Sequence, residues 1–98
     1  MAQFGIYRVD GHGLVVDCQS DLLSDLQSRI VAPLRAEAED SVSLSRLNPR
    51  IEVDGIAYRV ATQFLRSVDR RVLGEHIGSA NAIEWEIKTA LDMLISGF

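Results

Sequence analysis

Apolar and polar residues alternate along the first part of the chain with the period of a β-strand. Residues 3–9 and 14–19 both show this alternation, in which every second side chain faces the same side of a sheet. The alternating apolar residues are Phe4 and Ile6 in the first segment and Leu14, Val16 and Cys18 in the second. The glycine-rich residues 10–13 separate the two segments and favour a tight turn, so the pattern predicts an N-terminal β-hairpin.

The next part of the chain is predicted to be a loop followed by a short strand. Residues 20–28 are rich in serine and aspartate around the apolar pair Leu22 and Leu23, which predicts a loop that carries two apolar residues. Residues 29–34 form a short apolar run. Pro33 within this run lacks an N–H donor, so we expect the strand to lie at a sheet edge or to carry a bulge.

A second hairpin is predicted in the middle of the chain. Residues 51–53 and 56–60 flank Asp54 and Gly55. Because an Asp-Gly pair tolerates positive φ at both positions, it is favoured in two-residue hairpin turns.

Two other stretches are less regular. Residues 36–46 are acidic, and the sequence leaves open whether they form a helical turn or an exposed flap. Residues 62–77 are predicted to hold one or two short strands, one of them around residues 68–73.

The pattern changes to a helical period from about Ala80 onward. Five apolar residues then fall on one face of a helix, namely Ile83, Ile87, Ala90, Leu91 and Leu94. We expect Asn81 to cap the start of this helix, with Glu84 three residues later as its partner in a capping box. We expect Gly97 to end the helix.

The helix places the only tryptophan of the chain away from its own apolar face. With a step of about 100° per residue, Trp85, Asp92 and Ser96 lie together on the side opposite the apolar stripe. Two interpretations remain open. Another part of the same chain covers Trp85, or a partner protein does, since tryptophan is enriched at protein interfaces.

The length and the net charge of the chain limit the kinds of function that the protein can have. A chain of 98 residues with 47% hydrophobic and 24% charged residues fits one domain, residues 1–98, of ordinary globular composition. The net charge of −4 disfavours direct binding to nucleic acid phosphates. A single cysteine cannot form an intramolecular disulfide and favours a reducing, cytoplasmic location. No apolar stretch approaches the roughly 18 residues of a membrane span, and the N-terminus does not resemble a secretory signal.

No set of residues in the sequence forms a convincing catalytic or metal site. His12 and His76 lack metal-ligand spacing with each other or with Cys18. Cys18 alternates with apolar neighbours, which indicates a small core residue rather than a nucleophile. Three aspartates at four-residue spacing are interpreted as polar residues of strand exits and turns, namely Asp17, Asp21 and Asp25. We therefore expect no catalytic residues, no metal and no cofactor.

Five segments, in the same order and with similar spacing, resemble the CcdB family of toxins. They are Gln3, Phe4 and Tyr7 near the N-terminus, residues 16–23 (VDCQSDLL), residues 30–34 (IVAPL), residues 47–53 (LNPRIEV), and residues 86–92 (EIKTALD) with the ending Gly97-Phe98. The family usually has valine where this sequence has Cys18. Each segment is short, but together they span nearly the whole chain, with gaps at the turn around Gly11 and in the acidic stretch.

The resemblance implies a mainly β fold, an SH3-like barrel of the CcdB/MazF type, with a small wing sheet and a C-terminal α-helix. It also implies a homodimer in which the two C-terminal helices lie near the dyad. Members of the family bind the A subunit of DNA gyrase and trap the enzyme on cleaved DNA, which blocks replication and transcription, and they need no cofactor. A CcdA-type antitoxin neutralises the toxin and, together with it, represses the operon, so contact with DNA is only indirect.

The resemblance also assigns gyrase-contacting residues by position. They are Leu22 and Leu23 in the loop, and Asp92, Ile95, Ser96, Gly97 and Phe98 in the C-terminal segment. The best-known member ends in Trp-Gly-Ile, whereas here a serine precedes the glycine and a phenylalanine follows it. Asp92 adds a negative charge where that member is neutral, so it requires a hydrogen-bond donor on the partner.

Two other functions stay open at this point. An endoribonuclease of the MazF type shares the same barrel, and Arg70, Arg71 and His76 are its candidate groove and acid–base residues. The net negative charge disfavours this function. A degenerate relative that binds the antitoxin without being toxic is the second alternative, because the C-terminal ending is altered. Independently of these functions, a structural role stays open for Leu22, Leu23 and Phe98, with Phe98 packed against the barrel or the dimer mate.

Overall fold

Seven antiparallel β-strands precede one α-helix in the computed structural model, which describes residues 2–39 and 46–97. The elements are β1 (Gly5–Val9), β2 (Gly13–Asp17), β3 (Ser28–Ala36), β4 (Arg50–Val53), β5 (Ile56–Val60), β6 (Arg66–Asp69), β7 (His76–Ser79) and α1 (Glu84–Ser96). Neighbouring strands follow the order β4-β5-β3-β2-β1-β7, and β6 pairs with β3 outside this path. The mainly β architecture predicted from the sequence is confirmed.

β3 is the central strand of the sheet. Along one side it pairs with β2, in a register that places Val31 opposite Asp17, and along the other it pairs first with β6 and then with β5. The predicted edge position of Pro33 is therefore wrong. The Pro33 carbonyl accepts a hydrogen bond from the N–H of Ala61 (2.8 Å). The nitrogen of Pro33, which has no hydrogen to donate, lies where β3 changes its pairing from β6 to β5. No hydrogen bond between strands is therefore lost at this position.

β4 and β5 form the predicted hairpin, which makes the wing together with the end of β3. Asp54 and Gly55 have φ values of 52° and 80°. Two successive positive φ values are the mark of a type I′ turn, whose twist matches the right-handed twist of the flanking strands. The hairpin prediction at this dipeptide is confirmed.

The strands β1, β2 and β3 are buried on both faces. The first face carries the residues that the alternation singled out, in an apolar cluster of Phe4, Ile6, Leu14, Val16, Cys18, Ala32, Leu34, Val53, Val60, Ala80 and Ile87. We call this the first-face cluster. The second face carries a smaller cluster of Tyr7, Val9, Val15, Val31 and Leu73. Strands covered on both sides carry apolar residues at successive positions, and β1 and β2 follow this rule.

α1 covers the first face of the sheet. Ile87 and Ala90 are fully buried, and Ile83 and Leu91 pack against the first-face cluster. Leu94, the last residue of the predicted stripe, is 38% exposed. The helix within the described residues is too short to cross a membrane.

The two ends of α1 were predicted with different success. Gly97 ends the helix as expected, because its φ of 83° is left-handed and its N–H donates to the Met93 carbonyl (3.0 Å). The cap predicted at Asn81 is wrong. A 3₁₀ turn over Asn81–Ile83 leads directly into α1, so Asn81 lies inside helical structure, and Ile83 occupies the cap position without a side-chain bond.

Trp85 lies on the outer face of α1 and is 71% exposed. The ammonium group of Lys88 lies 4.9 Å from the centroid of its ring. The described part of the chain therefore does not cover Trp85.

Two strand boundaries differ from the prediction for local reasons. β1 begins at Gly5 instead of residue 3 because Phe4 has a positive φ of 68° and belongs to a turn. β6 ends at Asp69, whose carboxylate accepts the N–H of Arg71 (2.9 Å) and so starts a 3₁₀ turn. The predicted strand at 68–73 is therefore wrong beyond its first two residues.

The acidic stretch begins with a 3₁₀ turn at Glu37–Glu39. The carboxylate of Glu37 accepts hydrogen bonds from Arg59 (2.8 Å) and Arg50 (3.4 Å), which ties this turn to the wing. The helical-turn interpretation is confirmed for these three residues. Residues 40–45 lie outside the described part of the chain, and so does Phe98.

Candidate functional site

A 3₁₀ turn at Asp21–Leu23, which we call the leucine turn, presents two apolar side chains to solvent. Leu22 is 94% exposed and Leu23 is 50% exposed. Single exposed apolar residues are common on protein surfaces. Two adjacent leucines on a turn held by hydrogen bonds cannot fold back to hide their surface, so this turn is an apolar protrusion.

Hydrogen bonds hold the leucine turn in place. The Oγ of Ser20 accepts the N–H of Leu22 (3.2 Å), and the Ser20 carbonyl accepts the N–H of Leu23 (3.0 Å). The backbone N–H of Gln3 donates to Oδ1 of Asp21 (2.7 Å). The turn is thus capped locally and anchored to the N-terminal segment.

The second predicted contact region is the end of α1. Ile95 is 75% exposed, and Asp92, Ser96 and Gly97 lie beside it on the last turn. Asp92 makes no hydrogen bond or ion pair with any residue in 2–39 or 46–97. Its negative charge is therefore available to a donor on another molecule. Nothing is described for Phe98.

The leucine turn and the helix end are both carried by elements that meet at the N-terminal residues. Gln3 bonds to the turn, and the next residue, Phe4, packs in the first-face cluster with Ile87 of α1. The Lys88 ammonium lies 6.0 Å from the Phe4 ring centroid. Within the described ranges no hydrogen bond or ion pair joins the turn directly to residues 92–97. The described contact residues therefore lie on two exposed elements that no such bond connects directly.

A buried ion pair beneath the leucine turn is absent from the sequence-based predictions. Asp17 and Arg29 are both 0% exposed, and Oδ2 of Asp17 accepts hydrogen bonds from Nη2 (2.6 Å) and Nε (3.0 Å) of Arg29. The sequence pattern predicts Asp17 only as a polar residue at a strand exit. The available signal was its spacing of two from Val15, which puts both side chains on the second face of β2.

The three residues proposed for an endoribonuclease do not line one common groove in the described structure. Nη1 of Arg70 donates to the Ser24 carbonyl (3.3 Å), and the His76 ring contacts the Tyr7 ring in a tilted arrangement, with 5.1 Å between the ring centroids. Arg71 lines a groove of about 560 Å³ whose lining includes neither Arg70 nor His76.

Arg71 is already paired within its own segment. Its Nε and Nη2 donate to the two carboxylate oxygens of Asp69, both at 3.0 Å. These bonds hold the pKa of the Asp69 carboxyl well below its usual range and raise the pKa of Arg71. The pair gives no acid or base that titrates near neutral pH.

Little in the described residues supports a metal site or a nucleophilic cysteine. No group of three or more His, Cys, Asp or Glu side chains within 2–39 and 46–97 could hold a metal ion. Cys18 is buried, and burial, followed by the nearby charge of Asp17, raises the pKa of its thiol to about 12. A thiol with this pKa stays protonated, which is the opposite of what a nucleophile needs.

A groove of about 680 Å³ lies between the main sheet and the wing. Leu34, Tyr58 and Ile77 contribute apolar surface to it, and Arg8 and Arg35 contribute charge. None of the predicted contact residues within 22–97 lines this groove. We place the candidate site at the leucine turn and not in this groove, because the turn presents two exposed apolar side chains on a hydrogen-bonded base.

Comparisons with known proteins identify the family and the fold. The chain matches the family model described as CcdB protein over residues 3–97. It is similar in structure to an endoribonuclease in complex with its cognate antitoxin from a mycobacterial species, with a TM-score of 0.82, 15% identity, and coverage of 98% of this chain and 95% of that chain. It is also similar to the Mycobacterium tuberculosis toxin MazF-mt6, with a TM-score of 0.77, 14% identity, and coverage of 94% and 96%.

At these identities the structural likeness shows a shared fold, the curled antiparallel sheet with one C-terminal helix that is common to MazF- and CcdB-type toxins. The family match is different in kind, because it spans nearly every described residue and includes both the leucine turn and α1. On this ground the protein belongs to the CcdB family of toxins of toxin–antitoxin systems.

Proposed function

We propose that this protein binds the A subunit of DNA gyrase and traps the gyrase–DNA cleavage complex, which blocks replication and transcription. The observation that carries the proposal is the leucine turn, where Leu22 is 94% exposed on a hydrogen-bonded base. A few well-placed apolar anchors can dominate the affinity of an interface. An apolar pair held in a fixed position loses little conformational entropy on binding, which favours affinity.

The end of α1 supplies the second contact of the proposed interface. Ile95 offers an apolar side chain that is 75% exposed. Gly97 has no side chain and so allows the backbone of the partner to approach closely. Asp92 contributes a charge that requires a donor from gyrase, since no residue in the described ranges pairs with it.

The proposed active form is a homodimer with the two α1 helices near the dyad. Such a dimer presents two leucine turns and two helix ends in a two-fold arrangement, which matches a two-fold target. The proposed antitoxin is of the CcdA type. In support, one structurally similar toxin is solved with its cognate antitoxin bound. The net charge of −4 favours contact with DNA through the antitoxin complex instead of direct contact.

The proposal is tested by incubating supercoiled plasmid with purified gyrase, ATP and this protein, followed by denaturation of any trapped complex. We expect linear DNA that depends on the protein. A defined single-stranded RNA is incubated with the same preparation in parallel. Cleaved RNA without linear DNA would replace the proposal with the endoribonuclease alternative.

Two substitutions of matched exposure locate the activity on the surface. Leu23 and Ile56 are 50% and 52% exposed, but Ile56 lies on the wing, outside the predicted contact residues. We expect Leu23→Ser, like Leu22→Ser, to reduce DNA linearisation at least tenfold, which corresponds to about 1.4 kcal/mol of binding energy. Ile56→Ser should act like the unchanged protein.

The same assays also define the results that would contradict the proposal. If the unchanged protein is folded and produces neither linear DNA nor cleaved RNA, gyrase poisoning is wrong. Retained antitoxin binding would then identify a degenerate relative. If all three serine variants linearise DNA equally well, gyrase is poisoned through another surface.

A further inference from the structure

Burying the ion pair between Asp17 and Arg29 on the second face of the sheet is unfavourable in free energy. Both side chains are fully buried, and the desolvation of two buried charges can exceed the attraction between them. In addition, Nη1 of Arg29 has no hydrogen-bond partner in the described structure, and an unsatisfied buried donor is itself unfavourable. Replacing a buried ion pair by apolar residues of similar volume is often neutral or stabilising, so we looked for a role of this pair beyond folding.

Hydrogen bonds connect this ion pair to the leucine turn. The second carboxylate oxygen of Asp17, Oδ1, accepts the backbone N–H of Gln19 (3.1 Å). The Gln19 side chain is buried, and its Nε2 donates to the Leu23 carbonyl (2.9 Å) while its Oε1 accepts the N–H of Ile30 (3.2 Å). One buried amide therefore ties the last residue of the turn to the start of β3.

These bonds form one continuous chain from the sheet to the protrusion. Arg29 donates to the Asp17 carboxylate, which also accepts the backbone N–H of Gln19. The side-chain amide of Gln19 in turn donates to the Leu23 carbonyl. Ser20, the residue after Gln19, accepts the N–H groups of both leucines. We call Arg29, Asp17 and Gln19 the buried polar chain.

We propose that the buried polar chain sets the position of Leu22 and Leu23 for binding, so that Arg29, Asp17 and Gln19 are positioning residues for the partner interface. The inference rests on the proposed function, because it assigns a purpose to the leucine turn as a contact. Its physical content is preorganisation. A turn that is already ordered in the free protein does not have to be ordered when the partner binds.

The first test compares two glutamines that flank the same loop. Gln19→Met keeps a long, unbranched side chain and removes both amide bonds. Gln27→Met is the matched control, because the exposed amide of Gln27 donates only to Oδ1 of Asp69 (3.0 Å), on β6 and away from the turn. Affinity for the isolated breakage-rejoining domain of the gyrase A subunit is measured by calorimetry, and amide hydrogen exchange is measured on each free toxin.

We expect Gln19→Met to weaken the affinity about tenfold, the scale expected when a turn with two leucines must be ordered on binding. The amide protons of Leu22, Leu23 and Ser24 should exchange faster in this variant than in the unchanged protein. Gln27→Met should change neither measurement. Unchanged exchange at these three amides in Gln19→Met would overturn the inference.

The second test separates positioning from folding. The double variant Asp17→Leu/Arg29→Met removes both buried charges and the unpaired Nη1 of Arg29, which offsets the loss of the bond from the Gln19 N–H. The midpoint of urea unfolding should therefore stay close to that of the unchanged protein. The affinity for gyrase should still fall about tenfold. A single Arg29→Met variant leaves the Asp17 charge buried without a partner and should unfold at clearly lower urea. A double variant that binds as tightly as the unchanged protein contradicts the inference.

The two proposals fail in different ways. If the unchanged protein does not bind the gyrase domain, the proposed function fails, while the exchange rates still report whether the buried polar chain orders the turn. If the unchanged protein binds and the double variant binds equally well, gyrase binding stands and the positioning role fails.

Discussion

At the scale of single residues, burial decides the chemistry of Cys18. Its Sγ donates to the Val16 carbonyl (3.6 Å) within the first-face cluster, and burial raises the pKa of the thiol to about 12. The unfolded chain releases this proton near pH 9. Above that pH, deprotonation stabilises the unfolded state alone, so the free energy of unfolding falls as the pH rises from about 9 toward 12.

The variant Cys18→Val lacks this titration and carries the residue usual in the family. Between about pH 8 and about pH 10, we expect the unchanged protein to lose about 1 kcal/mol more of its free energy of unfolding than the variant does. Urea unfolding of both proteins at the two pH values provides the measurement. Tyrosine and lysine titrations are common to both proteins and cancel in the comparison. Equal losses would show that the thiol titrates normally and is not buried.

Single residues also show what a sequence can and cannot predict. The exposure of Leu22 and Leu23 follows from their polar neighbours, which is local information. The pairing of Asp17 with Arg29 depends on the register of β2 against β3, because the two residues are diagonal neighbours across strands. No pattern along the chain fixes that register, so the local pattern predicts Asp17 only as a polar residue at a strand exit.

At the scale of elements, the wing hairpin depends on one glycine. Gly55 has a φ of 80°, and a Cβ added there would meet no heavy atom within 4 Å. Gly78 in β7 likewise has open space around such a Cβ but does not have a positive φ. The two positions therefore separate backbone strain from steric clash.

We expect Gly55→Ala to lower the free energy of unfolding by about 1 kcal/mol, because alanine in a left-handed conformation is strained. Gly78→Ala should leave that free energy unchanged or raise it by up to about 1 kcal/mol, since alanine restricts the unfolded chain. Thermal or urea unfolding of the two variants distinguishes them. Equal effects at both positions would mean that the turn at residues 54–55 does not hold the positive φ values.

Several elements defined by local signals were predicted well, although the cap at Asn81 was not, and the place of β3, which tertiary neighbours define, was missed. The Asp-Gly turn, the apolar stripe of α1 and the stop at Gly97 each depend on a few adjacent residues. The central place of β3 depends on β5 and β6, which follow it by many residues. Pro33 suggested an edge because it lacks a donor, and no local pattern indicates that this position would face a change of partner strands.

At the scale of the whole molecule, the exposed apolar residues favour association. Several large apolar side chains are at least one-third exposed in the single chain, among them Leu22, Ile56, Phe64, Trp85 and Ile95. A small domain with this surface gains stability when a partner covers part of it.

We expect the purified protein to sediment as a dimer, at twice the 10.8 kDa of one chain. The temperature of unfolding should rise with protein concentration, because the association favours the folded state by mass action. Sedimentation equilibrium and concentration-dependent calorimetry provide the two measurements. A monomer whose unfolding temperature is independent of concentration would contradict the dyad arrangement and, with it, the match to a two-fold target.

The outward position of Trp85 gives the protein a built-in optical probe. In the single chain its indole is exposed and lies beside the Lys88 ammonium, so the emission of the folded monomer should be red-shifted, close to that of the denatured chain. Tryptophan fluorescence will therefore be a poor reporter of folding. The same feature makes it a sensitive, label-free reporter of docking, because any protein or ligand that settles on the outer face of α1 will shift the emission of this one fluorophore to the blue.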